Sequence, residues 1–246
     1  MAKNEKLQFH CLGCGVQLGE KGFENLTLIT VASNPVVNIK EEELISEIPH
    51  DKKTLVGNIT TASEGNDDLY EVGLAWYGIS NVLGYKNLAI DCPGCEVTIV
   101  PNSLGTLPAG TKVISNIYVK VPAGQEPGKY LAKVYAFTAN AGNDSVLLNL
   151  TVPINTSWIR EPASFGTFLT PPNTSGLIGI INVTMVGNVK IKFTASKSGD
   201  NAYTKIEGMN TYPFELEKQT TKSLTVTYSI PADAAEGIYN VTIFIR

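Results

Sequence analysis

Val121-Pro122-Ala123-Gly124-Gln125-Glu126-Pro127-Gly128-Lys129-Tyr130 is written twice in this chain, the second time as Ile230-Pro231-Ala232-Asp233-Ala234-Ala235-Glu236-Gly237-Ile238-Tyr239. Pro, Gly and Tyr keep their offsets, and the copies lie 109 residues apart (239 − 130). Alternating apolar residues flank each copy. Ile117, Val119 and Val121 lead into the first, and Leu224, Val226, Tyr228 and Ile230 into the second. Period-two spacing predicts strands with one buried face. Pro ends ladder pairing, Gly permits the turn, and Tyr opens the next strand with its ring buried and its hydroxyl at the rim. A fixed-period repeat of this kind predicts two β-modules in tandem.

Working outward, residues 1–22 read as a separate arm, 23–153 as the first β-sandwich and 154–246 as the second. In the arm Leu7, Phe9 and Cys11 alternate with Gln8 and His10. The first module offers strands from Leu26 onward, including Thr54–Thr61, Leu69–Tyr77, Glu96–Val100, Lys112–Val121, Lys129–Phe137 and Ser145–Val152. The last two form a hairpin about Ala141-Gly142-Asn143-Asp144. Only Ile39–Ile48 suggests a short helical turn. Pro153–Pro172 reads as a linker or opening edge anchored by Trp158 and Phe165, before the shorter second module.

Laid over one another, the copies differ in one respect. After its Gly-x-Tyr strand the first module turns and adds Val146, Leu148, Leu150 and Val152, whereas no such strand follows Tyr239, Val241, Ile243 and Ile245. The second sheet is therefore expected to lack a closing strand, which leaves unpaired backbone and an apolar groove. Closure by another topology, further sequence in a longer protein, or a strand from another subunit would complete it. The N-terminal arm, with Leu7, Phe9 and Cys11, is the ready donor for the third, and Tyr239, Val241, Ile243 and Ile245 form the acceptor. A donor at one end and a gap at the other propagate head to tail.

The Pro-x5-Gly-x-Tyr element resembles the closing part of immunoglobulin-like modules in bacterial and archaeal surface proteins. These include S-layer-associated repeats and accessory β-domains of secreted glycosidases. The likeness rests on Leu107-Pro108-Ala109-Gly110-Thr111 through Tyr130, and on Ile230 through Tyr239. It implies the fold and a surface location, and no catalytic residues. In overall plan the chain is also similar to archaeal surface-filament subunits that polymerise by strand donation. It does not resemble a type IV pilin, because the long apolar N-terminal helix is missing.

Net charge is −4, which gives no basic field for nucleic acid. No apolar run reaches the roughly 20 residues of a membrane-spanning helix, and the first residues do not lead into a signal-peptide core. Eight Asn-x-Ser/Thr triplets, at Asn25, Asn58, Asn143, Asn149, Asn155, Asn173, Asn182 and Asn240, fit a secreted glycoprotein. Outward strand positions carrying Asn and Thr generate the same triplets, since residues two apart share a face.

Four cysteines come as Cys11-Leu-Gly-Cys14 and Cys92-Pro-Gly-Cys95. In an oxidising compartment they would form disulfides, within or between the pairs; in a reducing one they could hold structural zinc. Acidic turns at Glu64–Asp68 and Ser198–Asn201 offer oxygen ligands for calcium, with solvated turns as the simpler reading. Trp76, Tyr77 and Tyr85 suggest either a sugar-stacking platform or core. His10 and His50 lack catalytic partners in sequence and read as surface or rim residues, so no enzyme is expected. The competing function classes are an adhesin or carbohydrate-binding accessory module and a zinc-binding β-protein.

Overall fold

The computed structural model describes residues 31–207 and 213–246 and is all-β, with one 3-10 turn at Asn201–Tyr203 among the described residues. Among the described residues ten strands build the first sandwich. They are β1 (Val37–Ile39), β2 (Glu43–Glu47), β3 (Lys52–Ser63), β4 (Leu69–Gly78), β5 (Lys86–Asn87), β6 (Glu96–Val100), β7 (Ser103–Leu107), β8 (Lys112–Val121), β9 (Gly128–Phe137) and β10 (Asn143–Val152). One sheet runs β1-β3-β8-β6 and the other β2-β10-β9-β4-β7, with β5 parallel beside β9. The opening segment pairs first with β3 and then, after Ile39, with β10 on the opposite sheet. That division of strands is the immunoglobulin-type arrangement.

Alternation explains the core. Ile117, Val119 and Val121 of β8 face Tyr130, Ala132, Val134 and Ala136 of β9 and Val146, Leu148, Leu150 and Val152 of β10 across one buried cluster. The helical turn expected over Ile39–Ile48 is absent. Leu44 instead packs against the core from β2, a strand exposed on alternate residues and paired parallel to β10. The ladder offered by β10 outweighs the weak local preference of three glutamates for helix.

The second sandwich comprises β11 (Trp158–Glu161), β12 (Thr174–Met185), β13 (Ile191–Phe193), β14 (Ala195–Gly199), β15 (Thr204–Glu207), β16 (Phe214–Leu216), β17 (Thr221–Ile230) and β18 (Val241–Ile245). One sheet runs β11-β12-β17-β15, which repeats β1-β3-β8-β6. The opposite layer holds β13 with β16 and β14 with β18. β4 is shared in the same way, its first half pairing with β7 and its second half with β9. A second buried cluster, including Val183, Met185, Phe193 and Leu224, lies between these layers, and Trp158 and Phe165 pack on it as expected.

The duplication extends beyond the motif read in sequence. β8 and β17 have the same length, and their bounds differ by 109 (221 − 112 and 230 − 121). β3 and β12 are both twelve residues long, and each is irregular at its fourth to sixth residue, Leu55/Gly57 and Leu177/Gly179. A β-bulge twists a strand and re-aims its side chains. Here the glycine admits a side chain from the opening segment. A Cβ on Gly57 would meet Leu44 at 3.2 Å, and one on Gly179 would meet Phe165 at 2.3 Å. Leu44 lies seven residues after Val37, which pairs with the last residue of β3; Phe165 lies seven after Trp158, which pairs with the last residue of β12.

Candidate functional site

Both copies of the repeated stretch build the same corner. The Tyr130 hydroxyl donates to the carbonyl of Glu126 at 2.7 Å, and the Tyr239 hydroxyl donates to the carbonyl of Ala235 at 2.7 Å. A tyrosine tied back to upstream backbone where it enters its strand is a hallmark of this fold class. Past the corner the copies diverge. Tyr130 is 0% exposed and Tyr239 41%, while Ala132 and Val134 are buried and their counterparts Val241 and Ile243 only half-buried.

The difference has one source. In the first sandwich β9 carries β4 on one edge and β10 on the other, and β10 in turn carries β2. In the second, β18 carries β14 on one edge, and no strand lies on its other edge among the described residues. The counterpart of β2 also lacks a ladder. Residues 164–168 hold the place of Glu43–Glu47, yet none of them is in a strand. Leu169, eleven residues past Trp158, is fully exposed, whereas Ile48, eleven past Val37, is 0% exposed. Ile238 at 84% and Phe168 at 48% lie in the same two segments. Among the described residues no strand thus fills the slot between β18 and residues 164–169, the place that β10 takes in the first sandwich.

The acceptor residues Tyr239, Val241, Ile243 and Ile245 all lie along this slot, Tyr239 just ahead of β18 and the other three on it. The donor residues Leu7, Phe9 and Cys11, together with Cys14, His10 and Asn25, lie outside the described residues. Cys92 and Cys95 form a disulfide across a turn in which the Cys95 amide donates to the Cys92 carbonyl. Pro93 and Gly94, the latter at φ 90°, supply that turn. Of the pairings open in sequence, this is one within a single CxxC pair.

The acidic turns act as ties. Glu64 accepts from the Asn38 amide and pairs with Lys40, and Asp68 accepts from the Ala109 amide. Asp200 accepts from the Asn240 amide, which pins the approach to β18. His50 corrects the sequence reading. It is buried, and its Nδ1 faces the Gly124 amide at 3.4 Å.

Trp76 packs on the core, while Tyr77 points outward in a row with Tyr135 and Phe137, ring centroids 5.6 and 6.0 Å apart. Asn58, Asn143, Asn173, Asn182 and Asn240 are exposed. Asn149 and Asn155 are half-buried and hydrogen-bonded, the first donating to Glu43 and the second accepting from the Ser157 amide. Sequence reasoning missed the counterpart of β2, because residues 164–169 show no alternation. Phe165 and Leu169 were the available signal.

No protein-family model matches the chain, and no curated protein is significantly similar to it in sequence. Solved structures share parts of its architecture. The CsuC–CsuE chaperone–tip adhesion subunit pre-assembly complex from archaic chaperone-usher Csu pili of Acinetobacter baumannii aligns over 86% of this chain and 99% of that one, with TM-score 0.39 and 14% identity. Protocadherin Gamma B2 extracellular cadherin domains 1–5 align over 88% of this chain and 40% of that one, with TM-score 0.39 and 10% identity. A family 123 glycoside hydrolase from Clostridium perfringens aligns over 49% of this chain, which spans 27% of that enzyme's chain, with TM-score 0.38 and 9% identity. Likenesses at this level assign neither a family nor an activity. The fold rests on the strand order above.

Proposed function

We propose that the chain is an extracellular, non-enzymatic structural subunit that polymerises head to tail into a surface filament, archaeal in type. In this reading the N-terminal arm of one subunit supplies the strand missing beside β18 of its neighbour. The observation that carries it is that no described strand pairs with the second edge of β18, whereas the counterpart β9 carries β10 there. An unpaired edge beside apolar side chains is costly in water and is a template for strand addition. Residues 1–22 form the arm, the modules divide near residue 153, and the exposed Asn-x-Ser/Thr sites carry glycans.

Chain direction supports a head-to-tail contact. β3 runs from Lys52, opposite Val121 at the end that meets the second sandwich, to Ser63 at the other end. Residues 32–34 are tied there, through Ser33 to Asp67 and through the Asn66 side chain to the Ala32 carbonyl. Residues 32–34, beyond which the proposed arm extends, therefore lie at the end of the first sandwich remote from the second. Deleting residues 1–12 is expected to abolish filaments seen by negative-stain electron microscopy while leaving a folded monomer by circular dichroism. Normal assembly of that truncated chain rejects the donor. The exposed Tyr77–Tyr135–Phe137 row favours the second reading, a carbohydrate-binding adhesin module, which predicts a monomer on size exclusion with saturable glycan binding.

A further inference from the structure

The polarity and register of the inserted strand can be taken from the first sandwich, an inference that rests on the strand-donation reading above. There β10 runs antiparallel to β9, with Asp144 opposite Ala136, Val146 opposite Val134, Leu148 opposite Ala132 and Leu150 opposite Tyr130. Adding 109 to the β9 positions gives Ile245, Ile243, Val241 and Tyr239 in the second sandwich. An arriving strand must therefore offer an acid and then three apolar residues at every second position. Glu5, Leu7, Phe9 and Cys11 have that order and spacing.

We propose that Glu5 to Cys11 of one copy enter the slot of a second copy antiparallel to β18, placing Leu7 against Ile243, Phe9 against Val241 and Cys11 against Tyr239. On its other side the strand runs parallel to residues 164–168, as β10 runs parallel to β2, with Phe9 beside Phe165 where Leu148 meets Leu44. The Asp144 carboxylate accepts from the Ile39 amide at 2.6 Å, and Arg160 holds the place of Ile39, so Glu5 arrives at a cationic position.

Length assigns the strand to another copy. In this polarity Cys11 lies at the far end of the second sandwich, two strand lengths from residue 31 of the same chain. Two twelve-residue strands placed end to end span roughly 80 Å at about 3.3 Å per residue. The twenty steps from Cys11 to Val31 reach at most about 70 Å when fully extended. The corresponding end of a following subunit lies directly beneath the slot.

Cysteine pairs test this register in full-length chains carrying Cys11→Ser and Cys14→Ser. His10→Cys with Asn240→Cys joins two positions that the antiparallel register places opposite each other. It is expected to give intermolecular disulfide ladders at least tenfold more abundant than His10→Cys with Phe244→Cys, the pair that a parallel strand over the same span places opposite each other. Dominance of the Phe244 pair, a bond within one chain, or no bond in either pair overturns the register. Hydrogen exchange on unmodified protein provides an independent reading, since amides of Val241–Ile245 should gain protection on assembly. Unchanged exchange there overturns the proposal. Filaments lost on deletion of residues 1–12 but cross-linked in the wrong register would sink this inference alone.

Discussion

Tyr130 and Tyr239 make the same hydrogen bond in different surroundings, and the surroundings set what each is worth. The Tyr130 hydroxyl also accepts from the Gln125 amide at 2.7 Å, and that amide reaches the Asp91 carbonyl at 2.9 Å beside the Cys92–Cys95 turn. Removing the hydroxyl leaves buried partners short of a bond, which costs roughly 1–3 kcal/mol. Tyr130→Phe should therefore lower stability by about that much in urea unfolding, and Tyr239→Phe, being exposed, by about 1 kcal/mol or less. Equal losses would contradict the difference in burial. Gly73 gives a second case at this scale. It faces Phe137 across the β4–β9 ladder, and a Cβ there would lie 2.3 Å from the Phe137 ring. Gly73→Ala should cost about 1–3 kcal/mol through overpacking. In a Phe137→Ala background that cost should largely vanish, a coupling that a double-mutant cycle measures directly.

Strands with clean alternation were legible in the sequence almost to the residue, because burial on one face writes itself at every second position. Lys112–Val121 is the clearest, and the hairpin of β9 with β10 follows from the turn at residues 141–144. β2 was misread because Glu41, Glu42 and Glu43 mimic a helix start, and what makes that segment a strand is β10, about a hundred residues downstream. β7 was missed because Ser103-Leu-Gly-Thr-Leu carries too few apolar residues to declare itself, and its ladder with β4 is irregular. That no described strand flanks the second edge of β18 was legible only by laying one copy over the other. Of the second wall of the slot only Phe165, read as an anchor to the second core, was legible. Its position is identified by the space over Gly179, a relation between residues fourteen apart that no local pattern records.

The two sandwiches meet where the β8–β9 turn of the first approaches the β16–β17 turn of the second. Glu126, in the turn before β9, lies 3.0 Å from Lys86 and 3.7 Å from Lys218, which precedes β17. The Lys86 hydrogen bond and charge, with the Lys218 charge, hold Glu126 below the ordinary carboxylate value of 4.5. A lowered folded value means that whatever this cluster contributes is present at neutral pH and lost as the pH falls through that lowered value. The groups are exposed, so the contribution is small and screened by salt. Lowering the pH from 6 to 3 should loosen this contact more at low ionic strength than at high, as small-angle scattering would show, and Glu126→Gln should remove that dependence.

The flank of β18 that no described strand covers gives any such polymer a direction. Its two tips are chemically unlike: one carries residue 31 and the proposed donor segment beyond it, the other Leu169 and Ile238, both open to water. That second tip is the sticky one. A cell anchoring such a fibre would need a different plug there, and a short tethered peptide with an acid followed by three alternating apolar residues is the simplest form that plug can take.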